Sequence, residues 1–497
     1  MAKKSGRRRA AGARSGARTR RTRVESDSMG EMTLPADSIY GATTARAVAN
    51  FPIANRPLPY EVIRAFVLLK CAAAETNMDL GVLQKTKARM IMKACNEIID
   101  GIDAQAADGT LDAGWMKQFP VDVFQTGSGT STNMNVNEVV SNHVSLSRGN
   151  EVGAKEPIHP NDHVNMGQSS NDTFPTAMQI AAAMAIKEHL LPSVKALAKA
   201  LHAKARKWDK IVKIGRTHLM DATPVRLGQE FGGFAAQMDL ARVRAERAMV
   251  RLAENLPIGG TAVGTGINTH SRFGKGVASR LSKMSGVKFS EAANHFEAQS
   301  TRDCVVEASG ELKTIAVSLS KIASDIRLLG SGPRAGLFEL SLPATQPGSS
   351  IMPGKVNPVM CESVVQVACQ VIGNDAAITA GGLGGVGSIL QLNVAMPMMA
   401  ANIMESINLM ANVANVFRER CIEGLEVNEE NAAGFVERSL MLCTKLAPEI
   451  GYDTAARIAK ESFAKNRTIR EHVLALEMIE EELLDELLDA EGMTRPD

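Results

Sequence analysis

The chain has 497 residues, of which 45% are apolar and only 4% are aromatic, and its formal net charge is +2. This length predicts two or three domains, and no apolar run is long enough to cross a bilayer, which excludes a membrane-spanning protein. A core of alanine, leucine and methionine favours helices over a β-sandwich.

The first 23 residues form a basic segment with ten Lys or Arg and no acid. The rest of the chain therefore has 46 basic and 54 acidic residues, a net charge of about −8. Because residues 1–23 lack large apolar side chains, we interpret them as a disordered basic tail. A solubilising extension is the simplest role. A nucleic-acid-binding arm and an organelle transit peptide are the alternatives, although a transit peptide needs an apolar face that this segment lacks.

The seven cysteines predict reduced thiols rather than disulfides or a metal centre. None forms a CxxC pair, and no Cys/His cluster has the spacing of metal ligands. With an odd number of cysteines and no signal peptide, we expect a cytoplasmic protein. The cysteines are Cys71, Cys95, Cys304, Cys361, Cys369, Cys421 and Cys443.

The predicted elements, taken in chain order, are mostly helical. After loops at 24–60, helical patterns are expected at 60–100, 176–208, 227–254, 312–326, 362–378 and 397–418. The last of these is apolar nearly all round, which is typical of a helix buried against other subunits. Shorter, charged helices follow residue 428. The fold class is therefore predicted to be mainly α, with a long-helix bundle that oligomerises.

Four polar segments interrupt the helices, at 126–138, 159–172, 215–224 and 348–358. Taken singly, each contains ordinary cap and turn residues. Together they supply many neutral hydrogen-bond donors, a lysine, a candidate His–Glu pair and no metal ligands. This set suits a small polyanion such as a dicarboxylate. The chain has neither the GxxxxGK[ST] motif of a phosphate-binding loop nor a GxGxxG motif that follows a strand.

The four polar segments resemble those of a known family. Gly348-Ser-Ser-Ile-Met-Pro-Gly-Lys-Val-Asn-Pro358 matches the GSSxMPxKxNP signature of the fumarase/aspartase superfamily without a gap. The other three segments match in order, as TGSGT…NMNxNE, HPND…SSND and GRTHLxDATP. Gln168-Ser-Ser-Asn-Asp172 is similar to class II fumarase, whereas aspartases usually have QSTND. Aspartate ammonia-lyase or another lyase of the superfamily is the alternative.

The resemblance implies a three-domain fold whose central helices form the core of a homotetramer. Within it we expect the basic tail at 1–23, an N-terminal domain at 24–170, a central bundle at 171–427 and a small C-terminal domain at 428–497. Active sites shared between chains and a small dicarboxylate substrate are implied. No metal and no organic cofactor are implied, and we expect no membrane partner and no nucleic-acid partner except through the tail.

The resemblance also implies the reaction, the reversible hydration of fumarate to (S)-malate through an aci-carboxylate intermediate. Ser349 would be the base, and Lys355 and Asn357 would stabilise the developing charge. His218, with Glu362 as its charge partner, would position or protonate the water. The residues implied to bind substrate are Ser128, Thr130, Ser169, Ser170, Asn171, Thr217, Ser350, Lys355 and Asn357. His159, Asn161 and Asp162 match a second anion-binding segment outside the active site.

Overall fold

A computed structural model describes residues 21–496 of the chain. Residues 1–20 of the basic tail predicted at 1–23 therefore lie outside the described residues. Its predicted end is wrong by two residues, because Thr22 and Arg23 belong to the first strand. Arg23 is held there by hydrogen bonds from its guanidinium to the carbonyl oxygens of Ser38 and Tyr40.

An antiparallel hairpin opens the described part of the chain. Strand β1, Thr22–Asp27, pairs with β2, Gly30–Pro35, and helix α1, Ala42–Asn50, follows. The prediction of loops across residues 24–60 is wrong for the hairpin and for α1. The side chains of β1 alternate between exposed and half-buried positions. An alternation with so few apolar residues gives little sign of a strand in the sequence.

Helices make up most of the remaining chain. Helices α2, α3 and α4 span Tyr60–Asp79, Lys85–Asp108 and Thr130–Ser147. Helices α5, Ser170–Ala185, and α6, Leu191–Lys207, are joined by a single π-helical turn and form one rod. The next helices are α7 (Leu227–Ala253), α8 (Phe273–Ser285), α9 (His295–Ser300), α10 (Asp303–Leu329), α11 (Val359–Gly382) and α12 (Met396–Phe417).

Among the described residues, five helical rods close a ring around the core. The α5–α6 rod packs against α7, α7 against α10, α10 against α11, α11 against α12, and α12 returns to α5 and α6. The apolar stripe predicted within 312–326 faces this core, and each of its members is at most 1% exposed. Helix α12 buries most of its residues inside the same chain. Its apolar character therefore reflects its position between α11 and the α5–α6 rod.

Short antiparallel strand pairs connect the helices. Strand β3, Val212–Thr217, pairs with β4, Met220–Arg226, between α6 and α7. The other pairs are β5 (Leu340–Ser341) with β8 (Glu426–Val427), and β6 (Ser388–Ile389) with β7 (Leu392–Asn393). None of the helices described within 21–496 is both long and apolar enough to cross a membrane. All seven cysteines lie in this range as unpaired thiols.

The apolar core has two parts. A large cluster runs from Leu58 to Leu425, and a small one runs from Val436 to Leu488. The domain boundary predicted near residue 427 falls between the clusters, whereas the boundary predicted at 170/171 falls inside the large one. The division into domains stays a prediction. The helices of the small part are α13 (Glu429–Arg438), α14 (Ala447–Ile450), α15 (Tyr452–Ala464), α16 (Ile469–Ala475) and α17 (Glu481–Leu487).

The small core predicts a sharp difference between two adjacent leucines of α17. Leu484 is completely buried, whereas Leu483 is 44% exposed. We expect Leu484→Ala to destabilise the C-terminal part by about 2–5 kcal/mol, because it leaves a cavity. Leu483→Ala is the matched control and should change stability by less than about 0.5 kcal/mol. Thermal unfolding with limited proteolysis would measure both, and equal effects would contradict a separate C-terminal core.

Candidate active site

The loop at 348–358 lies between β5 and α11 and is closed at its base by two hydrogen bonds. The Gly348 N–H donates to the Lys355 carbonyl oxygen at 2.8 Å, and the Asn357 side-chain amide donates to the Gly348 carbonyl oxygen at 2.7 Å. A Cβ atom on Gly348 would lie 2.5 Å from the Lys355 oxygen, so the closure requires glycine. The loop therefore presents the side chains between its two ends as one unit.

Ser349 is half-buried at the start of this loop, and its hydroxyl accepts two backbone hydrogen bonds. The N–H of Ile351 donates to Ser349 Oγ at 3.2 Å and the N–H of Met352 at 3.0 Å. Two donors on one oxygen favour its anionic form, which is the form of a serine that can accept a proton from carbon. The Lys355 ammonium is exposed and has no hydrogen bond or ion pair with any other residue in 21–496. It is free to bind an anion.

The segments 126–138 and 159–172 meet in a chain of hydroxyl groups. Ser128 Oγ lies 2.8 Å from Thr130 Oγ1, and Thr130 Oγ1 lies 2.7 Å from Ser170 Oγ. The Ser170 hydroxyl in turn donates to Asn171 Oδ1 at 3.4 Å. These hydrogen bonds thus link four of the predicted substrate-binding residues to one another. We call Ser128, Thr130, Ser169, Ser170 and Asn171 the hydroxyl cap.

The hydroxyl cap lies where two helices begin. Thr130 is the first residue of α4 and Ser170 is the first residue of α5, so their hydrogen bond joins two helix N-termini. Unpaired first-turn N–H groups and the helix dipole favour negative charge at such ends. Ser169 closes the N-terminus of α5 with a capping box to Asp172, and its Oγ also accepts the Asn171 N–H. The cap therefore offers a carboxylate group hydrogen-bond donors, although the cap itself has no formal positive charge.

The segment 215–224, predicted as a polar interruption, is the β3–β4 hairpin. Thr217 and His218 lie at its exposed tip. His218 and Leu219 form a two-residue turn with φ of 56° and 62°. These values are typical of a type I′ turn, which non-glycine residues adopt at some cost. One residue before this tip, Arg216 donates to the buried Glu339, which lies just before β5, at 2.8 Å.

The hydroxyl cap and the hairpin lie at opposite ends of the bundle. The α5–α6 rod separates them and has 38 residues from Ser170 to Lys207, a length of roughly 55 Å at about 1.5 Å per residue. A hairpin with strands of six and seven residues reaches back by only about 20 Å. One chain therefore does not bring the cap and His218 together.

The loop lies at the hairpin end of the bundle. Glu339 holds the hairpin nine residues before Gly348, and the far end of α11 leads to Met396, whose N–H donates to the Gly127 carbonyl oxygen beside the cap at 3.1 Å. No hydrogen bond or ion pair among residues 21–496 joins His218 to Glu362, and both side chains are exposed. Their predicted pairing remains a prediction, and it needs a second chain or a change in the loop.

The second predicted anion segment forms a π-helical turn, Pro160–Val164. The His159 ring caps it, because His159 Nδ1 accepts the N–H groups of Asn161 at 3.3 Å and Asp162 at 3.2 Å. The other ring nitrogen of a neutral His159 is then a donor. A cavity of about 270 Å³ adjoins this turn, and its charged side chains are Glu25, Asp27, Glu138 and Lys155. Glu25 is paired with Arg23 and Asp27 with Arg46, so these carboxylates are neutralised and the charge of the cavity does not decide between an anion and a cation.

Two carboxylates in the four polar segments accept backbone hydrogen bonds that the sequence analysis did not predict. Glu138 accepts the backbone N–H groups of Gly41 at 2.8 Å and Thr43 at 3.1 Å, and so holds the start of α1. Asp172 accepts the N–H groups of Ser169, Gly259 and Thr261 at 2.9, 3.1 and 2.9 Å. Burial raises the pKa of Asp172 to about 6, against the lowering effect of these bonds. The Ser-x-x-Asp spacing at 169–172 was the available signal for the capping bond, whereas the bonds to Gly259 and Thr261 had none.

Comparison with known proteins decides the family. A family model described as lyase matches residues 30–373, and one described as fumarase C C-terminus matches residues 442–495. A class II fumarate hydratase of Corynebacterium efficiens is 51% identical over 96% of this chain and 97% of its own length. That of Mycobacterium tuberculosis (strain H37Rv) is 51% identical over 95% of this chain and 96% of its own.

The chain belongs to the class II fumarase family.

This membership makes the chain a hydro-lyase of the fumarate hydratase class. The structure of a class II fumarase from Schistosoma mansoni superimposes with a TM-score of 0.90 at 36% identity, covering 96% of this chain and 100% of that one. A structure described as fumarate lyase:delta crystallin from Brucella melitensis, bound to cobalt, gives 0.88 at 42% identity, covering 96% and 100%. The mainly helical fold expected for class II fumarase is thereby confirmed.

The hydroxyl cap of this fumarase depends on a glycine that no other residue can replace without strain. Gly129 has φ of 71°, and a Cβ there would lie 1.8 Å from the ring of Phe174. We expect Gly129→Ala to lose about 1–2 kcal/mol for its backbone conformation and about 1–3 kcal/mol more from overpacking, with weaker substrate binding.

Gly149 provides the matched control for this prediction. Its φ is 78°, but a Cβ there would meet nothing within 4 Å. Gly149→Ala should therefore show the backbone cost alone, with an unchanged KM for fumarate. Denaturant unfolding and steady-state kinetics on both variants would test this prediction. Equal decreases in stability and equal increases in KM for the two variants would contradict it.

Proposed function

We propose that the chain hydrates fumarate to (S)-malate by anti addition of water, with Ser349 as the base of the reverse elimination. Membership of the class II fumarase family supports the reaction. The observation that carries the residue assignment is the pair of backbone N–H groups on Ser349 Oγ, at 3.0 and 3.2 Å. They make this hydroxyl the best-stabilised alkoxide candidate in the signature loop.

In the direction of elimination, Ser349 takes a proton from the malate carbon beside one carboxylate. The electron pair of the C–H bond moves into that carboxylate, which becomes a doubly charged aci-carboxylate. Lys355 and Asn357 stabilise this charge. The carbon–carbon double bond then forms as hydroxide leaves, and a proton delivered at His218 converts it to water, with Glu362 stabilising the charged imidazole. Hydration runs through the same steps in reverse.

The hydroxyl cap holds the other substrate carboxylate. Its donors are neutral, and they lie at two helix N-termini, which favour an anion without adding a counter-charge. Thr217 contributes from the hairpin and Ser350 from the loop. The expected absence of a metal or organic cofactor is part of the proposal. Substrate binding then depends on hydrogen bonds and on the single ammonium of Lys355.

The active site is shared between chains of a homotetramer. The separation of roughly 55 Å along the α5–α6 rod supports this, because one chain holds the cap away from the base. Three neighbouring bundle helices also expose large apolar side chains: Leu240 on α7 at 54%, Val317 on α10 at 52% and Ile372 on α11 at 44%. Such a face is typical of a surface that another subunit covers.

The remaining assignments follow from the sequence rather than from contacts. The segment with His159, Asn161 and Asp162 acts as a second anion site through the outer nitrogen of His159, which lines the cavity beside it. The enzyme works in the cytoplasm with a small dicarboxylate as its partner. The basic tail is a solubilising extension.

Removing the Ser349 hydroxyl tests the base. We expect Ser349→Ala to lower kcat by about 10²–10⁴-fold with little change in KM, because general-base catalysis contributes a factor of this size. Absorbance in the fumarate band after adding malate measures the rate. Thr345→Ala, at an exposed position before the loop, is the control. Malate turnover equal to the parent in Ser349→Ala would exclude this base, and consumption of ammonia with fumarate but no malate would identify an aspartase.

Mixing two inactive variants tests the sharing of the site. Ser349→Ala removes the base, and Asn171→Asp places a carboxylate against the substrate carboxylate. If loop and cap come from different chains, co-expressed variants should regain roughly a quarter of parental activity, because about one site in four then combines an intact loop with an intact cap. Separately purified variants mixed without subunit exchange are the control. No recovery in co-purified mixed tetramers would place loop and cap in one chain.

A further inference from the structure

A lysine lies in the apolar interior beneath the hydroxyl cap. Lys70 is in the middle of α2 and is completely buried, with buried neighbours Leu69 and Cys71 on either side. Burying an ammonium is costly unless all its donors are satisfied, so a lysine here needs a specific reason. The proposed catalytic steps do not use it.

The Lys70 ammonium donates three hydrogen bonds, all to side-chain amide oxygens. Lys70 Nζ lies 2.7 Å from Asn133 Oδ1, 2.9 Å from Gln168 Oε1 and 3.0 Å from Asn165 Oδ1. An ammonium has three N–H donors, so this set is complete. No carboxylate within 21–496 forms an ion pair with Lys70. Burial lowers its pKa to about 7, and the nearby Asp172 charge opposes this shift.

Each acceptor belongs to a different part of the polar surface. Asn133 lies in the first turn of α4, which begins at Thr130. Gln168 comes directly before Ser169, the N-cap of α5. Asn165 directly follows the π turn that His159 caps. The amides also bond to one another, since Asn133 Nδ2 donates to Asn165 Oδ1 at 3.1 Å.

We propose that Lys70 is a positioning residue for the reaction, which fixes the starts of α4 and α5 at the spacing that the hydroxyl cap needs to bind a substrate carboxylate. This inference rests on the proposed assignment of the cap as a substrate-binding element. Lys70 is completely buried, so it acts through Asn133 and Gln168 and does not touch substrate. The same three bonds connect the His159 turn to the cap.

The mechanism is geometric. Thr130 and Ser170 each begin a helix, and their hydroxyls lie 2.7 Å apart. Without the ammonium, Gln168 Oε1 would lose its bond, while Asn133 Oδ1 and Asn165 Oδ1 would keep only the Thr173 hydroxyl and the Asn133 amide as donors. No direct bond in this set would then link α4 to the residue before the N-cap of α5, and the two helix starts would move apart. A shift of about 1 Å in binding groups can lower kcat/KM by on the order of 100-fold. Carboxylate binding is present in the ground state and in the transition state, so its loss raises KM more than it lowers kcat.

Lys70→Met tests this, with Lys204→Met as the matched control. Lys204, on α6, is also buried, and its Nζ donates to the carbonyl oxygens of Glu423 at 3.0 Å and Leu425 at 2.7 Å, away from the cap. Both variants lose a buried ammonium. We expect Lys70→Met to raise KM for fumarate at least tenfold while kcat falls less than threefold. Lys204→Met should lower Tm but leave KM within twofold of the parent.

A second measurement does not depend on turnover. Succinate, an unreactive saturated dicarboxylate, should raise the Tm of the parent and of Lys204→Met, and should raise that of Lys70→Met much less. If Lys70→Met does not fold, Gln168→Leu removes one of the three acceptors at a half-buried position and should raise KM about threefold. Size-exclusion chromatography should show the same assembly for all folded variants.

The variant Ser170→Ala shows whether a negative result overturns the cap assignment or only the role of Lys70. If Ser170→Ala leaves KM unchanged, the cap does not bind substrate, and both the cap assignment and this inference are overturned. If Ser170→Ala raises KM but folded Lys70→Met, or Gln168→Leu in its place, has the parental KM and succinate response, the role of Lys70 alone is overturned. A fall in Tm and in apparent kcat with unchanged KM would assign Lys70 a purely structural role.

Discussion

The Asp172 carboxylate is the interaction on which the polar end of the molecule depends. It is completely buried, and it accepts backbone N–H groups from Ser169, Gly259 and Thr261. These bonds tie the start of α5 to the turn that follows α7. The adjacent Asn171 side chain then donates to the Ala262 carbonyl oxygen at 2.8 Å. Since burying an unpaired carboxylate is expensive, this arrangement exists only with all three donors in place.

The buried charges of this region are kept apart from the surface that is proposed to bind substrate. Asp172 and Lys70 lie beneath the hydroxyl cap, and their bonds go to backbone N–H groups and to side-chain amides. The cap itself carries hydroxyls and one carboxamide. A cap that must bind and release a dianion benefits from neutral donors, because a fixed cation there would strengthen binding of substrate and product alike. In the proposed mechanism the exposed ammonium of Lys355 lies on the loop, where the new charge of the intermediate would develop.

Long helices impose the second constraint. A rod of 38 residues keeps its two ends apart whatever the loops do. In this chain the cap lies at one end of the bundle, and the hairpin and signature loop lie at the other. The same helices that give the fold its core therefore prevent a monomer from completing the proposed site. Exposed apolar side chains on α7, α10 and α11 are consistent with a surface for further chains.

Local patterns in the sequence were sufficient to identify features that depend on a single helix. The stripe at 312–326 identified the buried face of α10, because a helix places every third or fourth residue on one side. Ser169 and Asp172 have the spacing of a capping box, although that bond was not predicted from it. Elements without apolar periodicity were missed: β1 alternates between polar residues, and 215–224 is a hairpin although its letters suggest a loop. The apolar surface of α12 was assigned to other subunits because a sequence does not say which neighbour covers a helix.

The sequence by itself determined the family, the signature loop and the residue types that a dicarboxylate needs, because these depend on short contiguous motifs. Only the tertiary structure decided which of these residues meet. It joined Thr130 to Ser170 across 40 positions, placed Lys70 beneath both, and kept His218 at the far end of the bundle. Contacts between distant segments depend on helix length and packing direction, and no local pattern records them.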